Sequence, residues 1–346
     1  MKLFSRLITL ILPKRLRYQI KSKFKQFRFN IRVFINYAYD FNRFTKWSSA
    51  DGIIKNQDNL KASITMGYHR IEKGLALKNP KPGFGSWFIP GLIKDLDHYQ
   101  QSFGSDETVQ IALNTLNSYY EFNREHDLKQ NNIQTSVHEL QNNLPPDQER
   151  TQQGGILYIT KNDILGSSCI DLRSFFESRH SIRQFTSEEV KMNLIEQAVG
   201  IARYSPSVCN RQTSKVYMYS RSEKTREVLS YQNGNRGFGD QADKILIVTS
   251  DLKSYSSIGE RNQCWIDGGM FAMSLIYALH SLGLGTCCLN WSVEKELDQQ
   301  LKKVTGISDS ESILMMIAVG HLPDNLKITQ SPRKSVQELL VEKLNE

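Results

Sequence analysis

At 346 residues, with 39% hydrophobic and 10% aromatic content, the chain is long enough for about two packed domains and too apolar to stay disordered. It has no run of about 18 apolar residues, which excludes a conventional spanning helix. Five cysteines, an odd number without a CxxC pair, argue against a disulfide scaffold and against a zinc site. The charge is split: residues 1–46 hold twelve Lys or Arg and one acid, Asp40, for a balance of +11, and the other 300 residues hold 32 basic and 35 acidic groups, for −3.

A mildly acidic globule with a basic N-terminal arm is a poor nucleic-acid binder, and no nucleic-acid partner is expected. Leu7 to Leu12 follows Arg6 but is too short for a secretory h-region, so the expected compartment is the reducing cytoplasm. From Lys14 to Ile35 the apolar residues Leu16, Ile20, Phe24, Phe27, Ile31, Phe34 and Ile35 recur in steps of three and four. They cover an arc of roughly 100°, with Arg17, Lys21, Lys25, Arg28 and Arg32 along one side. That pattern suits a helix lying on an anionic membrane surface at the inner face. It also suits a helix packed on the rest of the protein or on a partner.

Residues 47–126 read as a helical extension, with periodicity through Leu92, Leu96, Tyr99, Phe103 and then Val109, Leu113, Leu116, Tyr120. Within it, His69, Glu72 and Lys73 form a possible acid/base cluster, although such charges mostly solvate or cap a helix. Gly67 and Gly74 make no phosphate loop, since no Lys-Ser/Thr follows. Residues 127–155 turn polar, with Pro145-Pro146 and Gly154-Gly155, and read as a linker.

The part from 156 to 346 alternates helix and strand: a helix from Val190 to Arg203, capped by Thr186-Ser-Glu-Glu189, and strands at Val216–Tyr219 and Ile245–Val248. A long buried helix from Trp265 to Leu282 follows, with small residues for close approach of another helix, then strands at Thr286–Leu289 and Leu314–Val319. Four polar stretches carry possible chemistry here. Arg179-His-Ser-Ile-Arg183 sets two guanidinium forks, an imidazole and a hydroxyl where a phosphate monoester could be held. Tyr204-Ser-Pro-Ser-Val-Cys-Asn-Arg-Gln212 is a loop able to approach a flat ligand. Gly283-Leu-Gly-Thr-Cys-Cys-Leu-Asn-Trp291 leads into a strand whose end could present backbone N–H groups. Pro332-Arg-Lys334 is a terminal cation pair. Each by itself also reads as an ordinary helix end, connection, turn or solvated tail. Cys287 and Cys288 read as core fillers.

In that order the four stretches resemble the nitroreductase family of FMN enzymes, over about residues 173–340. The family pattern includes Ser-Pro-Ser-x-x-Asn-x-Gln, matched from Ser205 to Gln212, and a strand ending in Val319-Gly-His-Leu-Pro323. The resemblance implies an α+β, three-layer domain with a central, mostly antiparallel sheet flanked by helices. It implies that Arg179, Ser181, Arg183 and Arg333 hold the FMN phosphate and that His180 touches the ribityl end. Pro206, Ser207, Asn210 and Gln212 would reach the flavin across a homodimer interface, and N–H groups around Asn290 and Trp291 would face the ring. At Ser331 the chain lacks a lysine that many members carry. The implied activity is hydride transfer from NAD(P)H through FMN to a small organic substrate, in a ping-pong route and without a catalytic side chain. A flavin-dependent dehydrogenase with no nicotinamide step, and a non-catalytic flavin-binding scaffold recruited to a membrane, stay open.

Overall fold

The computed structural model describes residues 14–128, 130–146, 149–168 and 170–342. The run Leu7–Leu12 lies outside them. The basic arm is one unbroken helix, α1 (Lys14–Trp47), longer than the periodicity of 14–35 indicates. The extra turns are held by polar bonds to the C-terminal domain. Tyr39 Oη donates to Asp298 at 2.8 Å, and Arg43 donates to the carbonyls of Asp309 and Glu311 at 2.8 and 2.7 Å.

Four helices then form the first core: α2 (Gln57–Leu75), α3 (Ile89–Phe103), α4 (Glu107–Glu125) and α5 (Asn131–Asn142). Asn56 and Asp106 cap α2 and α4 by accepting from backbone amides one turn on, which satisfies donors that a helix start leaves orphaned. Leu60, Ile64, Ile71, Leu96, Leu113 and Leu116 interlock in the bundle centre. Gly67 and Gly74 sit one above the other on α2 because packing demands it: a Cβ at Gly74 would lie 2.1 Å from the Phe84 ring, and one at Gly67 2.9 Å from Leu92.

The stretch 127–155 is not a linker. Helix α5 buries Val137 and Leu140 in the same core, at 2% and 4% exposure. Its polar continuation is strapped to α4: Asn114 Nδ2 donates to the Thr151 and Gln153 carbonyls at 3.0 and 2.8 Å, and Thr151 N–H donates to Gln110 at 2.9 Å. The stretch offers its backbone to these bonds, and the amide side chains that hold it, Gln110 and Asn114, come from α4. The exposed connection comes later, with α6 (Lys161–Ser168) and α7 (Leu172–Ser178).

The second core is built on an antiparallel sheet of order β1-β2-β4-β3: β1 (Ser214–Ser220), β2 (Lys244–Asp251), β3 (Leu284–Asn290) and β4 (Glu311–His321). Along β2 successive side chains alternate between faces. Leu246 and Val248 join Ile317 and Val319 under α8 (Met192–Ala202) and α10 (Gln263–Ser281). Ile245 and Ile247 join Met316 and Ala318 under α9 (Glu223–Ser230) and α11 (Lys295–Thr305). The result is helix, sheet, helix: an α+β three-layer domain. A last short helix, α12 (Val336–Leu339), ends the described chain.

Three local expectations need correction. Helix α8 starts at Met192 without a side-chain cap, because Val190 N–H is taken by the Asp243 carboxylate at 2.9 Å, and Thr186 caps only a turn to Glu188. Gly268 lets α10 settle on the sheet, since its missing Cβ would lie 2.6 Å from Leu314 of β4, and the close approach of another helix falls at Ala272, packed with Ala198 and Ala202 of α8. Nor is α10 buried all round, since Ile266, Met270 and Met273 face outward.

Candidate functional site

Strand β3 is a sheet edge, and residues 180–183 lie along it. Ser181 forms a parallel bridge with Thr286, and Ile182 N–H donates to the Thr286 carbonyl at 2.8 Å. Arg179 caps the end of α7, and from there the run to Arg183 is extended, so the four-residue spacing does not put the two arginines on one helical turn. The two-residue period of extended chain still puts Arg179, Ser181 and Arg183 on one side, with His180 and buried Ile182 on the other. Among the described residues Arg179 has no ion pair and no side-chain hydrogen bond. Arg183 makes only a 3.5 Å contact to the Ser181 carbonyl and lies 6.0 Å from the Phe238 ring centroid. Two guanidiniums on one side with no carboxylate to answer them form an anion-binding surface.

His280, which the sequence did not single out, joins this cluster from the C-terminal end of α10. Its Nε2 meets Ser178 Oγ at 2.9 Å, and burial together with the charge of Arg179 holds it below its ordinary value. A neutral imidazole there leaves the cationic work to the arginines.

Further along β3, Thr286, Cys288 and Asn290 share the outward side of the ladder, their N–H and C=O groups pointing away from β4. Past Thr286 the edge is partnered mainly at its far end, where Gln232 donates to the Asn290 carbonyl at 3.0 Å. Cys287 and Cys288 point to opposite faces. Cys287 fills the core, whereas Cys288 is exposed beside Arg179, so the pair is neither two core fillers nor a redox couple. Trp291 turns inward: its indole is buried and donates to Asp298, so only its backbone can face outward.

The loop 204–212 is a second site. Its core is Arg211, buried and paired with Glu260, donating also to the Ser254 carbonyl at 2.7 Å and stacked 5.5 Å from the Tyr255 ring centroid. Burial works against the Glu260 charge. Arg211 and the amides of Ser256 and Ser257 nevertheless hold that carboxyl below the usual range. Asp267 of α10 clamps the other side by accepting from Val208 N–H at 3.1 Å. Between these clamps Cys209, Asn210 and Gln212 are left-handed, at φ 48°, 52° and 49°. Strain at three non-glycine residues persists only where the surroundings enforce it. It turns Pro206, Asn210 and Gln212 into solvent. The loop borders a groove of about 530 Å³ against α8 and α10, and another of about 840 Å³ against α2 and α4.

The two sites do not meet within one chain. Asp267 and His280 are thirteen residues apart on α10, about 20 Å along its axis. Arg333 is in the exposed tail, donating to the Ser331 carbonyl at 2.8 Å, and among the described residues it bonds to none of 179–183. His69 and Glu72 pair at 3.3 Å on α2, and neither lines the groove that Thr65 and Tyr68 of the same helix share with the loop.

The nitroreductase family model matches residues 176–230 and 222–321, a span that holds the guanidinium pair, the strained loop and all of β3. The matched span, residues 176–321, is similar to the nitroreductase family and takes in somewhat under half of the chain. Helices α1 to α6 lie outside the match, and so does Arg333. Solved structures similar to this chain include a nitroreductase family protein from Streptococcus pneumoniae TIGR4. It is 20% identical, with TM-score 0.43, over 50% of this chain and 100% of that one. A protein from Desulfovibrio desulfuricans, described as a nitroreductase in complex with FMN, is 21% identical with TM-score 0.44, over 51% and 99%. An FMN-dependent nitroreductase from Clostridium difficile R20291 is 19% identical with TM-score 0.42, over 49% and 98%. No curated protein matches the chain.

Proposed function

We propose that the nitroreductase-like domain is an FMN-dependent oxidoreductase, fed by NAD(P)H, acting on a small organic substrate. The observation that carries this reading is the pair Arg179 and Arg183, unanswered by any carboxylate among the described residues and aligned with Ser181 beside the open edge of β3. A flavin mononucleotide phosphate is a dianion, and this donor set fits it. FMN would supply hydride transfer through its own ring chemistry. The chain's part would be position and electrostatics: Arg179 and Arg183 would hold the phosphate, and the outward N–H groups of Cys288 and Asn290 would be donors for negative charge on a reduced ring.

The same reading calls for a second copy. Asp267, which clamps the loop of Pro206, Asn210 and Gln212, is about 20 Å along α10 from His280 beside the guanidinium pair, and on this reading the loop serves a flavin held by the partner. Support comes from apolar surface left open on the single chain. Ile266, Met270 and Met273 form a stripe on the outer side of α10, and Leu157, Tyr158 and Leu340 are also exposed. Contiguous apolar surface of this kind marks an interface.

The test is direct. Purified protein should be yellow or take up FMN, and NADH or NADPH should bleach it under nitrogen. Colourless protein that refuses FMN would end this reading, whereas bleaching by neither nicotinamide would remove only the electron donor.

A further inference from the structure

We infer that α1 lies in the surface of an anionic lipid bilayer, with its apolar face in the headgroup boundary and the rest of the protein above. The register of the helix leads there. Arg32 pairs with Glu294, Asn36 accepts from Lys295 N–H at 2.8 Å, Tyr39 donates to Asp298, and Arg43 holds Asp309 and Glu311. At 100° per residue these four lie within an arc of about 60°, which is the side of α1 that faces its own protein. Leu16, Ile20, Phe24, Phe27, Ile31, Phe34 and Ile35 lie on another arc, centred about 120° away. The apolar face is therefore turned off the body, and all seven side chains are exposed, Phe24, Phe27 and Phe34 at 52%, 59% and 72%.

Charge decides among occupants. Residues 14–35 carry eight Lys or Arg and no acid. Lys23 and Arg28 are exposed and flank the apolar arc on its two sides, where their stems can lie along it and their charges reach lipid phosphates. A second copy applying the same face would bring eight more cations and no carboxylate. No helix of the described residues is long and apolar enough to cross a membrane, which leaves the in-plane position.

The experiment is flotation of the full chain with vesicles of phosphatidylcholine, with and without phosphatidylglycerol. Wild type should float only with phosphatidylglycerol and be released by salt. Lys23→Gln and Arg28→Gln together should weaken partitioning about thirtyfold. Phe24→Ser, Phe27→Ser and Phe34→Ser together should abolish flotation, with the melting temperature unchanged in both variants. Three outcomes would overturn the inference: equal flotation on both vesicles or none; a Phe variant that melts lower, which would place that face against the protein; or a Phe variant that loses oligomeric mass and keeps flotation, which would give the face to a second copy.

Discussion

The indole N–H of Trp291, at the exit of β3, donates to Asp298 of α11 at 2.9 Å. The other oxygen of the same carboxylate accepts from Tyr39 of α1 at 2.8 Å and pairs with Lys302 at 2.9 Å. One buried acid thus ties the outermost helix to the strand end that borders the proposed flavin edge. Burial disfavours its charge, but Lys302, Trp291 and Tyr39 outweigh that and hold Asp298 below the usual carboxylate range.

Asp298→Ala leaves Lys302 buried and unpaired, and removing one partner of such a pair costs about 3–5 kcal/mol. Denaturant melts should show that loss. A variant as stable as wild type would mean that water or another carboxylate already serves Lys302.

Arg211 and Glu260 make a pH prediction with a definite sign. The folded Glu260 value is depressed, so its stabilisation is complete above the unfolded glutamate value of about 4.3 and fades as pH falls through the lower folded value. Glu260→Gln should flatten the acid side of a plot of melting temperature against pH. Arg211→Ala should cost about 3 kcal/mol and release the left-handed turn at Cys209 and Asn210, visible as faster amide exchange in that loop.

Arg179→Ala and Arg183→Ala should each weaken FMN binding by about ten- to a hundredfold, the worth of one charge-assisted contact, as read by flavin fluorescence titration. Apo-protein stability should stay put, because among the described residues Arg179 has no side-chain partner and Arg183 makes only a 3.5 Å contact to the Ser181 carbonyl and a 6.0 Å approach to the Phe238 ring. A fall in apo-protein melting temperature would mark the arginines as structural.

If the outer stripe of α10 is a dimer seam, light scattering should give about twice the 39.8 kDa chain mass. Met270→Arg with Met273→Arg should yield monomers that lose FMN, since the partner's loop leaves with the partner. Monomeric protein that still holds flavin tightly would require Asn210 to play no part.

Gly74→Ala should destabilise the N-terminal bundle by about 1–3 kcal/mol in spite of its better helix propensity, because the new methyl meets the Phe84 ring. Phe84→Leu in the same chain should recover part of the loss; no recovery in melting experiments would place the strain elsewhere.

Legibility in the sequence followed the physics of each signal. The sheet strands were readable at Ile245–Val248 because a run buried on both faces needs apolar residues at every position. The polar end of β4 was not. Glu311 sits inside the sheet because Lys215 at 3.0 Å, Tyr217 at 2.8 Å and Thr249 at 2.6 Å all converge on it, and those partners come from other strands. Helix α5 was lost for a related reason: its few apolar positions find their partners on α3 and α4, and its Leu140 carbonyl accepts from Gln100 of α3, a bond that no local pattern announces. Arg211 went unnoticed beside Asn210 and Gln212, since Glu260 lies 49 residues away.

What the sequence determined alone was periodicity and chemistry: which stretches are helix or strand, where cations outnumber acids, and that guanidinium, hydroxyl and amide groups recur in the order a nitroreductase-family domain uses. Those are properties of neighbours along the chain. Only the tertiary structure decided that Arg179 and Arg183 align through extended backbone, and that the loop at Asn210 stands at the far end of α10 from them. It also decided that the apolar side of α1 turns off its own protein. Each of these depends on a register between elements distant in sequence, which is set by the packing of whole cores and not by any single segment.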